Sequence, residues 1–224
     1  MLDATLLPLH WPEGFWQRPA ASPEAPILVL FHGLGSHWPD MQALAEALDP
    51  EGDLHLIALD APQRPVSVNR GYVMPAWYDI YGFGPDSEED TAGLAQISER
   101  LQALLLPVLS GRTLLLGGFS QGAALALYLG VRELLPAQVI LSFSGYLPLR
   151  QQTPVAGPKA PLIFWAHGSA DDILPLQYAI WGEEILQQRG FHVHRKDYPM
   201  GHGIILPEVE DARLFLDQHI FRKH

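Results

Sequence analysis

The sequence predicts an α/β protein, with a mostly parallel central sheet and helices on both faces. Three observations carry that expectation. From residue 27 onward, short apolar runs alternate with stretches of helical periodicity. The runs at 27–31, 54–58, 139–143 and 162–166 are apolar at nearly every position, as strands covered on both faces are. One sharp turn, Gly118-Phe119-Ser120-Gln121-Gly122, joins the run 113–116 to the helix-favouring stretch 123–129.

Taken in order, residues 1–26 are proline-rich and aperiodic, with Trp11, Phe15 and Trp16 as anchors that fold back on the body. After the strand at 27–31 come a loop, His32-Gly33-Leu34-Gly35-Ser36, a short helix at 41–48 and a strand at 54–58. Residues 61–86 are rich in proline, glycine and aromatic side chains, among them Trp77, Tyr78, Tyr81 and Phe83. A loop of that length in a compact domain is usually functional, so it is expected to form the wall or lid of a site. Ser87 and Asp90 have the spacing of a capping box, and Leu94, Ile97, Leu101, Leu104 and Val108 then recur at helical spacing. Tyr178, Trp181 and Ile185 mark a helix after Pro175, which Gly190 ends. Residues 192–198 read as a polar edge strand, and Val209, Ala212, Leu216 and Ile220 as the stripe of a closing helix. Neither a repeat nor a low-complexity linker interrupts the pattern, so residues 1–224 are expected to form one domain.

Composition narrows the classes of function. The net charge is −11, from 25 acidic and 14 basic residues, which argues against nucleic acid as a partner. There is no cysteine, so disulfides, thiolate metal sites and a cysteine nucleophile are excluded together. No apolar run approaches the ~18–20 residues of a membrane span, and the first residues lack the positive region of a secretory signal. A cytoplasmic location is the expectation.

Strand, sharp turn with a central serine, helix: this is the context of a nucleophile elbow, as in the α/β-hydrolase fold. A serine hydroxyl needs a base to take its proton and an acid to orient that base. In that fold the order is serine, then acid, then histidine, on loops that follow successive strands. His167-Gly168-Ser169-Ala170-Asp171-Asp172 follows one later strand and Gly201-His202-Gly203 follows the next. Ser120 is therefore the candidate nucleophile and His202 the candidate base. Either Asp171 or Asp172 supplies the acid, the other being suited to cap a turn before Pro175. The oxyanion would be met by the amide of Gln121, which follows the nucleophile, and by that of Leu34 in the glycine-flanked early loop. His32 and His167, outside that order, read as hydrogen-bonded structural residues. His192 and His194 share a strand face without a third ligand and read as surface residues, so no metal is expected.

The segments HGLGS at 32–36, APQRPVSVNRGYVMPAWYDI at 61–80, GFSQG at 118–122, LSFSGYLPL at 141–149, HGSADDILP at 167–175 and GHG at 201–203 occur in that order. Together they resemble the phospholipase/carboxylesterase family, which includes the acyl-protein thioesterases, from about residue 27 to the C-terminus. The resemblance implies Ser120, Asp171 and His202 as catalytic residues, with Leu34 and Gln121 as oxyanion donors. It also implies hydrolysis of carboxylic esters or thioesters, no cofactor, and in some members a weak homodimer. Two departures stand out: Ala123 where the family often has glycine, and Ser36-His37-Trp38-Pro39 where it usually has an aspartate, which reshapes the expected acyl channel.

The leading expectation is a serine carboxylesterase working through an acyl-enzyme. A thioesterase or lysophospholipase for long acyl chains is the alternative, resting on Leu34, Met74, Trp77, Ile173 and Leu174 as apolar substrate contacts. A fold that binds a ligand without turning it over is the third reading.

Overall fold

A computed structural model describes residues 6–82, 84 and 87–221. Its strands are β1 (Phe15–Arg18), β2 (Ile27–Phe31), β3 (His55–Leu59), β4 (Gln63–Val66), β5 (Tyr72–Pro75), β6 (Leu114–Phe119), β7 (Ala137–Phe143), β8 (Leu162–Gly168) and β9 (His192–Tyr198). The helices are α1 (Trp38–Leu48), α2 (Thr91–Leu109), α3 (Gln121–Val131), α4 (Gln177–Gln188) and α5 (Leu206–Leu216). Seven strands form one sheet in the order β1-β3-β2-β6-β7-β8-β9, parallel throughout except for β1 against β3.

Each central strand buries both faces, which is why its sequence is a continuous apolar run rather than an alternation. Ile27, Val29 and Phe31 face a cluster shared with α2, α3 and α4, whereas Leu28 and Leu30 face α1 and α5. All eleven residues of α3 are buried, as suits a helix packed directly on the sheet behind β6. The chain runs from β2 to one side, through β3, and returns to the other side with β6. That reversal leaves a crevice at the carboxyl ends of β2 and β6, where open α/β sheets bind ligands.

Three local expectations are corrected. The leader is not wholly aperiodic: residues 15–18 form β1, in which Phe15 packs on one face of the sheet and Trp16 on the other. The proline-rich segment hid this alternation, which spans only four residues. The long stretch after β3 carries a hairpin, β4 against β5, rather than loop alone; Phe83 lies outside the described residues. Asp90, not Ser87, caps α2: its Oδ1 accepts from Gly93 N–H at 2.8 Å and its Oδ2 from Asp79 N–H at 2.8 Å. Ser87 instead accepts a hydrogen bond from Gly84 N–H at 2.9 Å. Gly190 does close α4, at φ 89°. Among the described residues no helix is long and apolar enough to cross a membrane.

α5 holds a buried carboxylate just beyond the GHG loop. Glu208 Oε1 accepts from Ile205 N–H at 2.7 Å, and Oε2 is buried without a protein partner among the described residues. Burial pushes this carboxyl up to about 7 from an ordinary 4.5. A group that holds its proton more tightly in the fold stabilises fully below its unfolded pKa and loses that contribution as pH rises through the folded one. Glu208→Gln removes the charge and keeps the acceptor. Thermal denaturation should show little change near pH 4.5 and a gain in Tm of roughly 3–8 °C at pH 8; an equal shift at both values would contradict the burial argument.

Candidate active site

Ser120 sits between β6 and α3 with φ 54° and ψ −117°, a conformation costly for a residue with a side chain, on the order of 1–3 kcal/mol. The neighbouring glycines explain how the turn is tolerated. A Cβ on Gly118 would lie 2.4 Å from the Phe31 carbonyl oxygen, and one on Gly122 2.0 Å from the same atom. Only bare backbone lets β2, β6 and α3 meet this closely. Ser120 N–H donates to Phe143 O at 2.9 Å, which anchors the turn to β7, and its hydroxyl makes no helix-capping bond. That hydroxyl is left for His202, whose Nε2 lies 3.0 Å from Ser120 Oγ.

His202 Nδ1 lies 2.7 Å from Asp171 Oδ2. The carboxylate is fully buried, and its other oxygen, Oδ1, accepts from Ile173 N–H at 3.0 Å and Leu174 N–H at 2.8 Å. Both its oxygens are thus engaged, so rotation of the carboxylate is constrained. Asp172 is exposed and makes none of these contacts. The two loops meet because they continue the β8–β9 pairing: Ser169 N–H donates to Tyr198 O at 2.7 Å and Ala170 N–H to Met200 O at 3.0 Å. A Cβ on Gly168 would lie 2.4 Å from Gly201 O, so this crossing too needs a glycine.

At the end of β2, Gly33 lies against the elbow; a Cβ there would be 3.5 Å from Ser120 Cβ. The amides of Gly35 and Ser36 are committed to Pro75 O and Gly33 O. Gln121 N–H belongs to the first turn of α3, where amides have no partner within the helix. The Gln121 side chain is buried and holds the next wall: Oε1 accepts from Trp77 N–H at 3.1 Å, and Nε2 donates to Tyr78 O at 2.7 Å.

Of the expected apolar contacts, Leu34 and Met74 are half-buried, with Met74 Sδ 3.7 Å from a Cβ built on Gly35, and Ile173 is 50% exposed. Trp77 is corrected: it is fully buried, its indole N–H donates to His32 O at 2.8 Å, and its ring packs against Phe31. It supports the Leu34 loop from beneath and offers no surface to a substrate. Leu174 is buried as well, yet it borders a cavity of about 320 Å³ whose walls include Tyr78, Ile80, Tyr146, Leu147 and Tyr178. Neither Ser120 nor His202 lines that cavity.

His32 is buried with Nδ1–H donating to Gly33 O at 2.7 Å and Nε2 accepting from Ala61 N–H at 2.9 Å. Burial lowers its pKa, so it is a neutral brace between two loops. Sequence reasoning overlooked two contacts of the GHG loop. The Phe119 ring lies 4.8 Å from the His202 imidazole, and Ser144, at φ 50°, reaches Gly203 O with its hydroxyl at 3.4 Å. Both positions fall inside the GFSQG and LSFSGYLPL segments, whose length exceeded what the elbow alone requires.

The sequence profile described as Phospholipase/Carboxylesterase matches residues 18–220. The chain belongs to the phospholipase/carboxylesterase family. As a member, it is an α/β-hydrolase acting on esters or thioesters. The acyl-protein thioesterase 1 of Debaryomyces hansenii is 32% identical over 216 residues, spanning 88% of this chain and 92% of that one. The structure of Zea mays acyl-protein thioesterase 2 superposes with a TM-score of 0.85 at 25% identity, over 92% of this chain and 98% of that one. Esterase PE8 superposes at 0.73 with 26% identity, over 91% and 97% of the two chains.

The departures from the family pattern have local explanations. The Ala123 methyl packs where Gly145 leaves room, 2.7 Å from a Cβ built there. Trp38 opens α1, donates its N–H to Asp60 Oδ1 at 2.6 Å and packs on the α1–α5 side, whereas Leu34 packs on the other.

The contrast between the adjacent aspartates gives a direct test. Asp171→Asn should lower kcat on a soluble ester by about 10³–10⁴-fold, since an amide favours the wrong tautomer of His202. Asp172→Asn should stay within about twofold. The reverse pattern in steady-state kinetics would move the acid to Asp172.

Proposed function

We propose that this protein is a serine carboxylesterase that transfers the acyl group of a carboxylic ester to Ser120 and then to water. The observation that carries this reading is the line Ser120 Oγ, His202 Nε2, His202 Nδ1, Asp171 Oδ2, with steps of 3.0 Å and 2.7 Å between neighbouring groups. His202 takes the serine proton as Oγ attacks the carbonyl carbon and later returns it to the leaving alkoxide. Asp171 holds the imidazole with its Nδ1–H toward the carboxylate and supports the charge that forms. Leu34 N–H and Gln121 N–H face the oxyanion, each such donor contributing on the order of 100–1000-fold in rate. The β4–β5 hairpin, through Met74, walls the site. No metal or cofactor takes part in this scheme, and the cysteine-free sequence suits the cytoplasm.

A second reading keeps the chemistry and lengthens the acyl chain. Two observations favour it: the thioesterase names of the relatives, and the cavity bordered by Leu174, where Ile80, Leu147 and tyrosine rings stand alongside Asp79, Glu88, Glu89, Asp90 and Arg150. A substrate panel separates the two. The purified protein should hydrolyse p-nitrophenyl acetate and butyrate, with Ser120→Ala at background, and its rate should fall on acidification, as general-base catalysis requires. Faster turnover of palmitoyl than acetyl substrates would favour the second reading. No activity above Ser120→Ala across the panel, with no labelling of Ser120 by a fluorophosphonate, would leave the third reading, a binding protein.

A further inference from the structure

The chemistry above makes no use of a buried histidine four residues before the acid. His167, in the last turnings of β8, is fully buried. Its Nε2 lies 2.7 Å from Leu174 O, which can only accept, so this nitrogen carries the proton. Nδ1 then presents a lone pair, and no protein group among the described residues meets it. A phenyl ring would fill the same space without stranding a polar atom, so packing does not account for an imidazole here. What the imidazole supplies and a hydrocarbon cannot is the Nε2–H bond.

That bond leads directly to the acid. Leu174 O accepts it, and Leu174 N–H donates at 2.8 Å to Asp171 Oδ1, the oxygen His202 does not touch. Ile173 N–H donates to the same oxygen at 3.0 Å. Asp171 Oδ2 lies 2.7 Å from His202 Nδ1 and 3.6 Å from His167 Nε2, too far for a second hydrogen bond but close in electrostatic terms. The titratable groups facing His167 are Asp171, His202 and Asp197. Burial lowers the His167 pKa, which keeps a rival cation away from the carboxylate that must serve His202.

We propose that His167 is a positioning residue for the reaction: its Nε2–H fixes Leu174, and Leu174 fixes the rotation of the Asp171 carboxylate that presents Oδ2 to His202. This rests on the reading of Ser120, His202 and Asp171 as the catalytic line and extends it by one residue. The bond from β8 to Leu174 closes the acid loop on itself, so that the loop's shape is set by His167 at one end and by Asp171 at the other.

Three variants test it. His167→Phe keeps the ring and removes the donor. His167→Gln carries an amide N–H at about the reach of Nε2, and His167→Asn carries one at about the reach of Nδ1. Two quantities are read: kcat and KM on a p-nitrophenyl ester as a function of pH, and the downfield proton resonance of His202 Nδ1–H in the unreacted protein. His167→Phe and His167→Asn should lower kcat by roughly 10–100-fold with KM within about twofold. They should also move the acidic limb of kcat/KM to lower pH, because a loosely held carboxylate supports the imidazolium less, and shift or broaden the downfield signal. His167→Gln should recover most of both losses.

The proposal is overturned if His167→Gln and His167→Asn behave alike, or if folded His167→Phe keeps the rate, acidic limb and resonance of the wild type. Should His167→Phe fail to fold, the Gln and Asn pair decides. The resonance needs no turnover, so the two readings fail separately. A signal that His167→Phe disturbs in a protein inert to every ester would retain the positioning role and sink the esterase. Normal turnover that is indifferent to His167 would do the opposite.

Discussion

The Phe31 carbonyl oxygen lies so close to Gly118 and Gly122 that neither could carry a side chain. That close approach governs the rest of the molecule. It presses the end of β2 against the turn between β6 and α3 and holds Ser120 at a positive φ. The same contact brings the Leu34 loop beside Ser120. If β2 were to draw back, serine and loop would separate together, because one backbone contact positions both. The cost of the strained turn is distributed over a core in which every residue of β2 and α3 is buried.

The other half of the site depends on β8 and β9 continuing to pair after both strands have ended. Backbone bonds from Ser169 and Ala170 to Tyr198 and Met200 bring the acid loop against the GHG loop. With Gly168 bare, the two backbones cross without a clash. Asp171 and His202, 31 residues apart in sequence, are neighbours for that reason. Ser144, just past β7, reaches Gly203 O, and the Phe119 ring from the elbow lies against His202. Preorganisation here is mostly backbone geometry, with side chains adding the last orientation.

Much of this was legible in the sequence because the relevant signals are local. Apolar runs such as Ile27–Phe31 announce buried strands, and glycines at 118 and 122 around Ser120 announce a tight turn. The family resemblance placed Asp171 ahead of Asp172; in the fold the first is buried and the second exposed. What stayed hidden is what pattern cannot carry. A strand as short as Phe15–Arg18 has too few residues to display its period. Trp77 looked like a substrate contact since aromatic residues crowd its segment, but only the fold reveals that its indole N–H is spent on His32 O. The role of Ser87 failed for a similar reason: spacing indicates a cap, and only the fold shows Asp90 taking it, with its second oxygen held by Asp79 N–H.

The central claim is that Ser120 carries the acyl group between attack and hydrolysis. Mass spectrometry of protein quenched within the first turnovers on p-nitrophenyl acetate tests it most directly. The account predicts a single added acetyl group on the peptide containing Ser120, which accumulates and decays as the ester is consumed. Acetyl found only on other residues, or ester consumed while that peptide never gains mass, would contradict it.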